Sequence, residues 1–176
     1  KAGLASALVA AERLAAGPAL AGDVVVAGVI DEEWGSLGAI AVAEHHRADA
    51  VVIPEQTNLE IVDEHGGFGW YDVDVRGVEV AGIEGDRGID TIALLAPLLA
   101  GIAAYDRELA GGPRKPYGRP NVHASTIAGG TQYPAWPART QLTIERCTVP
   151  GERIADTRAR LDALMAEARA ADPRFD

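Results

Sequence analysis

Trp70-Tyr71-Asp72-Val73-Asp74-Val75 (WYDVDV), preceded by Gly66-Gly67, is where the chain changes its grammar. Apolar and acidic residues alternate there with period two. Successive side chains of a strand point to opposite faces, so the segment reads as a strand with one face in a core and the other in water. Downstream, a Gly-rich, charged stretch (77–88) leads to a long helical run, Ile89 to Leu109, closed by Gly111-Gly112-Pro113, and then to a Pro-rich loop. Two further strands are predicted, Val122 to Ala128 and Thr140 to Cys147, separated by Gly129-Gly130 and a turn containing Pro and Trp. Pro150-Gly151-Glu152 opens a last helix ending near Ala171. The order β-α-β-β-α is that of a ferredoxin-like α+β sandwich without its final strand.

Upstream of Gly66 the pattern is different. Leu4 to Ala15 has helical spacing and stops at Gly17-Pro18. Val24 to Ile30 (VVVAGVI) and Ala50 to Ile53 are short apolar runs without polar alternation, the signature of parallel strands buried on both faces. An Ala-rich amphipathic helix, Ser36 to Arg47, lies between them, so a right-handed βαβ unit is predicted and with it an α/β domain. The boundary falls near Asp63 to Gly67, giving an α/β portion over residues 1–65 and an α+β portion over 66–176. The chain starts at Lys1 inside an apparent helix, and Phe175 reappears as an apolar residue where another strand would begin, so an internal fragment of a larger protein is expected.

Composition narrows the possible functions. The 176 residues are 48% hydrophobic, enough for a core, yet no apolar stretch reaches the ~18 residues of a membrane span. A formal net charge of −10, without a basic cluster, opposes nucleic-acid phosphates. The single cysteine, Cys147, excludes an internal disulfide and a cysteine-based structural zinc site, and a reducing, cytoplasmic setting is expected.

The chemistry is expected at the strand ends. Val24 to Ile30 breaks into Asp31-Glu32-Glu33, and Val51 to Ile53 breaks into Pro54-Glu55. In open α/β sheets the carboxyl edge of the strands is the ligand edge, and adjacent carboxylates there can divide metal binding and proton transfer between them. The competing reading is structural, because Asp31 or Ser36 before a helix can simply cap its amides.

The string VIDEEWGSLGA, followed by VVIPEQTNLEIVDEHGGFGW, RGVEVAGIEGDRGIDTIA, NVHASTIAGG and LTIERCTVPGE, resembles the zinc-dependent deacylase and exopeptidase family. That family includes acetylornithine deacetylase, succinyl-diaminopimelate desuccinylase, aminoacylase and glutamate carboxypeptidase. The resemblance implies a zinc-binding α/β domain interrupted by a ferredoxin-like lid that dimerises. It implies Glu32 as general base, Glu33 as ligand to one zinc and Glu55 as ligand to the other, with two zinc ions per complete chain, or cobalt or manganese in their place. The implied reaction is hydrolysis of the amide of an N-acyl amino acid or small peptide. The family's upstream His and bridging Asp, and its later His, have no counterpart in these residues, so the segment alone is expected to be inactive.

Two positions depart from the family pattern. Ala81, within Val80-Ala81-Gly82, stands where relatives carry a lid His that polarises the substrate carbonyl, and Cys147 stands where relatives often carry an Arg for a substrate carboxylate. Arg146 is the candidate to replace that Arg if the strand register turns it to the other face. His123 is the second candidate substrate contact. His45, His46 and His65 are read as structural, Gly129-Gly130 as a bend, and Trp70 and Trp136 as core or dimer interface. The rival to the enzyme is a non-catalytic relative or dimerisation module, which Ala81 and Cys147 favour and the acidic trio opposes.

Overall fold

The computed structural model describes residues 1–112 and 118–176. The chain divides into two compact units, Lys1–Val62 and Asp63–Asp176. The Pro-rich loop expected after Gly112 falls largely on 113–117, outside the described residues.

In the second unit, β1 (Phe68–Arg76), β2 (Asn121–Gly129) and β3 (Arg139–Cys147) form a three-stranded sheet in the order β1-β3-β2. β3 is central and antiparallel to both neighbours, with Val73 opposite Leu142 and His123 opposite Glu145. The alternation read in WYDVDV decides the faces. Tyr71, Val73 and Val75 turn toward the core, while Asp72 and Asp74 lie on the open face, where Asp72 accepts from Thr143 at 2.8 Å and Asp74 from Arg139 at 2.7 Å.

Helices cover the other face. The predicted helix 89–109 is two helices, α3 (Thr91–Leu94) and α4 (Ala96–Ala110), and Ile89 instead bridges to Val78. Asp90 caps α3 by accepting from the amides of Ile92 (2.9 Å) and Ala93 (3.0 Å). Pro97 has no N–H to bond backward, so the helix restarts there, with proline tolerated in its first turn. α4 buries Leu98, Ile102 and Tyr105, and α5 (Ile154–Ala171) buries Thr157, Leu161, Leu164 and Ala168. Both sets follow the three-and-four spacing of one helix stripe. With Leu95, Leu142 and Ile144 they form a single core, each large side chain worth about 1.5–3 kcal/mol of burial. One buried polar pair is satisfied internally: Thr91 donates to the Pro137 carbonyl at 3.0 Å, leaving Thr140 to donate to Thr91 at 2.8 Å.

The first unit corrects the sequence reading. α1 (Ala2–Ala15) and α2 (Leu37–His45) form as expected, but Val24 to Ile30 and Ala50 to Ile53 are not hydrogen-bonded strands, and no βαβ unit is present among the described residues. No residue of 1–62 is buried; Val25 is 80% exposed and Val52 88%. Parallel strands need neighbours and cover on both faces, and this unit supplies neither.

Candidate functional site

The acidic residues sit in two loops of the first unit. Asp31, at φ 64°, accepts from the amides of Gly35 (3.1 Å) and Leu37 (3.4 Å) and so serves the start of α2. Ser36, also left-handed at φ 54°, makes no side-chain cap bond. Two non-glycine residues held at positive φ therefore bracket Glu32 and Glu33, whose side chains remain exposed. Gly38 lets α2 approach this loop closely, since a Cβ there would lie 2.5 Å from the Ile30 nitrogen. Glu55 follows a tight turn in which its amide donates to the Ile53 carbonyl at 2.9 Å. A Cβ on Gly3 would lie 1.9 Å from the Pro54 oxygen, so only glycine permits α1 to pass beside Glu55. Among the described residues no group of three or more His, Cys, Asp or Glu side chains could hold a metal ion. Glu32, Glu33 and Glu55 are thus not joined into a donor cluster. Carboxylate oxygen suits zinc chemically, but a zinc shell takes about four ligands and these residues do not complete one.

The other candidates lie on the sheet. His123 projects from β2 onto the open face, where its Nε2 stands 3.5 Å from Glu145 of β3, its register partner. Glu145 also accepts from the Cys147 thiol at 3.8 Å. Burial, and then the negative charge of Glu145, push that thiol above its ordinary pKa, so Cys147 is held as a thiol at neutral pH and is a poor nucleophile. Phe68 and Trp70 extend the same face from β1, with ring centroids 5.1 Å apart.

Arg146 is on the opposite face. Its side chain is only 3% exposed, pairs with Glu152 at 2.8 Å, lies 5.8 Å from the centre of the Tyr105 ring and also donates to the Cys147 carbonyl. Glu152 in turn accepts from the Val149 amide at 2.9 Å, so the arginine closes the turn into α5. In this register the guanidinium faces α4 and α5 and away from His123. Glu152 and Tyr105 escaped the sequence reading, although strand parity carried the signal: Arg146 shares its face with Leu142 and Ile144, Cys147 with Glu145.

Ala81 is exposed and its backbone bridges to Ala135; the Gly82 amide donates to Pro134 at 2.7 Å and the Trp136 amide to Val80 at 2.9 Å. The following 3-10 turn, Gly82–Arg87, folds against the half-buried Trp136 ring. His45 bonds to the Ala41 carbonyl at 2.9 Å and His65 to the Gly66 carbonyl at 2.7 Å, both on the surface.

A sheet of order β1-β3-β2 backed by two helices defines a small α+β module, and the sequence profile of the peptidase dimerisation domain matches residues 63–173. The chain belongs to that family. No curated protein matches it. Among solved structures it is similar to an aminobenzoyl-glutamate utilization protein from Klebsiella pneumoniae, at 18% identity over 61% of this chain and 25% of that one, with a TM-score of 0.46. It is also similar to an amidase of the hydantoinase/carbamoylase family from Burkholderia multivorans, at 15% identity over 61% and 25%, TM-score 0.48. A third is aminopeptidase PepT from Bacillus cereus, at 16% identity over 57% and 24%, TM-score 0.38. The chain spans about a quarter of the length of these proteins. No helix among the described residues is long and apolar enough to cross a membrane.

Proposed function

We propose that this chain is part of a metal-dependent hydrolase that cleaves the amide bond of N-acyl amino acids or small peptides, and that residues 66–176 join two copies of it as a lid. The observation that carries the reading is membership of the peptidase dimerisation domain family over residues 63–173. In this reading Glu33 and Glu55 each donate to a zinc ion, for which cobalt or manganese could substitute. Glu32 exchanges the proton. The remaining ligands come from outside these residues, since two carboxylates do not fill the shell. The metal would supply activated water at neutral pH. No step is assigned beyond that. His123, exposed beside Glu145, is the proposed substrate contact of the lid, whereas Arg146 acts by positioning the turn into α5. The setting is cytoplasmic, with neither nucleic acid nor membrane as partner.

The second reading is a non-catalytic dimerisation module, favoured by Ala81 in the place of the lid histidine and by the thiol, rather than a guanidinium, at Cys147. The test is metal content and hydrolysis of N-acyl amino acids and dipeptides by the complete parent protein. Two zinc ions per chain and turnover abolished by Glu32→Gln support the enzyme. Metal-free, inactive protein that still dimerises supports the module.

A further inference from the structure

We propose that Glu145 decides which substrates the lid accepts: the group laid on the open face of its sheet is a cation, an ammonium or guanidinium, and not a carboxylate. The inference rests on the reading of that face as a substrate contact and names the chemistry it selects.

The register orders the open face in rows. Phe68, Cys147 and Asn121 form the first, Trp70, Glu145 and His123 the second, and Asp72, Thr143 and Thr126 the third. Residues directly opposite on neighbouring strands bring their Cβ atoms to about 5 Å, so Glu145 stands between an indole and an imidazole, with the Phe68 ring one row away. Phe68 is 46% exposed and its ring lies 5.1 Å from that of Trp70, which makes an aromatic wall along the carboxylate. An aromatic ring attracts a cation to its face, and a carboxylate attracts it more directly. The two act in the same sense here.

The charges of the face are sorted by position. At the far end Asp74 accepts two bonds from the Arg139 guanidinium, at 2.7 and 2.9 Å, and stands 3.8 Å from Arg76. Arg139 is therefore held, and along β3 it lies about 20 Å from Glu145 at ~3.3 Å per residue. Arg146, next to Glu145 in sequence, faces the helices and pairs with Glu152. Among the described residues no Arg or Lys pairs with Glu145. Its two contacts are weak ones. The His123 Nε2, a cation only when protonated, is 3.5 Å away, beyond the usual N–H···O distance, and the Cys147 thiol, a poor donor, is at 3.8 Å. An ammonium is a stronger donor than either.

A carboxylate brought to the same row meets Glu145 and, one row on, Asp72. At Cys147 it meets an uncharged thiol in place of a cation. The formal charge of −10 on the whole chain acts in the same direction.

The experiment is a titration of the isotope-labelled 176-residue chain, read by amide NMR shifts, with three probes that differ only in the side chain: the N-methylamides of Nα-acetyl-lysine, of its uncharged counterpart Nα-acetyl-norleucine, and of Nα-acetyl-glutamate. The expected result is that the lysine probe shifts the amides of Phe68, His123 and Glu145 and binds about tenfold more tightly than the norleucine probe, with the glutamate probe weakest. Glu145→Gln brings lysine down to the norleucine level, Glu145→Asp keeps the order, and Glu167→Gln, on the exposed side of α5, changes nothing; circular dichroism verifies that each variant folds. Equal binding of the three probes, shifts confined to other residues, or no shift with any probe overturns the inference. Tighter binding of the glutamate probe reverses it and makes His123 an anion contact. The complete parent protein separates the two readings: hydrolysis of all three probes with equal kcat/KM overturns the cation preference and leaves the hydrolase standing, whereas a metal-free, inactive parent removes the hydrolase and leaves the preference to be decided by the titration.

Discussion

Val24 to Ile30 is more continuously apolar than any strand of the sheet, yet Val25 and Ile30 are 80% and 74% exposed, while Val75 and Leu142 are 1% exposed in strands that carry Asp, Arg, Gln and Glu. The same residue types thus have opposite fates in the two units. Hydrophobicity alone does not make a strand; a paired neighbour and a covering layer do. In residues 63–176 β3 finds partners on both sides and α4 and α5 cover one face, whereas in 1–62 two helices flank apolar runs that nothing within the unit closes over. The loops bearing Glu32, Glu33 and Glu55 belong to the uncovered unit. The best-packed part of the chain is the part that matches the peptidase dimerisation domain, and the proposed chemistry is carried by the part that packs least.

The contrast can be broken by substitution. Leu142→Ala should lower the stability of the second unit by about 3 kcal/mol, while Val25→Ala should change it by less than about 0.5 kcal/mol. Urea unfolding followed by circular dichroism reads both, and equal effects would erase the distinction. Glu152→Gln leaves the nearly buried guanidinium of Arg146 without its carboxylate and should cost about 2 kcal/mol in the same assay, whereas Glu32→Gln, on an exposed loop, should cost nothing measurable.

Acid sharpens the comparison. Asp74 is held below the ordinary carboxylate range by its bond to Arg139, Asp106 by Arg119, and Asp172, beside Arg174, is lowered to about 2. A carboxyl whose folded pKa is depressed contributes fully above its unfolded pKa, near 4, and the contribution is lost as the pH falls through the folded value. These three groups all lie in 63–176. The midpoint of urea unfolding of the second unit should therefore be insensitive to them above about pH 5 and fall between about pH 4 and pH 2. Asp106→Asn should flatten part of that fall. The smallest expected effect is chemical: Cys147 should alkylate several-fold more slowly than an unstructured thiol at pH 8, and urea should abolish the difference.

How far the sequence could be read follows the same division. The strands β1 to β3 and helices α4 and α5 were legible because their periodicities reflect burial that the chain itself provides: Asp72 and Asp74 alternate with Val73 and Val75, and Leu98, Ile102 and Tyr105 repeat on one helix face. The break before Pro97 was available in the residue itself. The facing of Arg146 was available in strand parity, but its partners Tyr105 and Glu152 depend on how α4 and the turn after β3 meet, which no local pattern records. The pairing of His123 with Glu145 likewise needs the register. The strands predicted at 24–30 and 50–53 were misread because an uninterrupted apolar run reports a demand for cover on both faces, and the sequence does not say whether that demand is met. Asp31 was legible as a cap, and so it is; Glu32, Glu33 and Glu55 remain proposals.

Native-state amide hydrogen exchange on the 176-residue chain tests the central contrast most directly, since protection measures whether each backbone group is closed into cooperative structure. The account predicts slow exchange through β3, at Leu142 and Ile144 above all, and rates close to those of an unfolded chain at Val25 and Val52. Strong protection across 24–30 and 51–53, equal to that of β3, would mean that the first unit closes a sheet of its own and would contradict it.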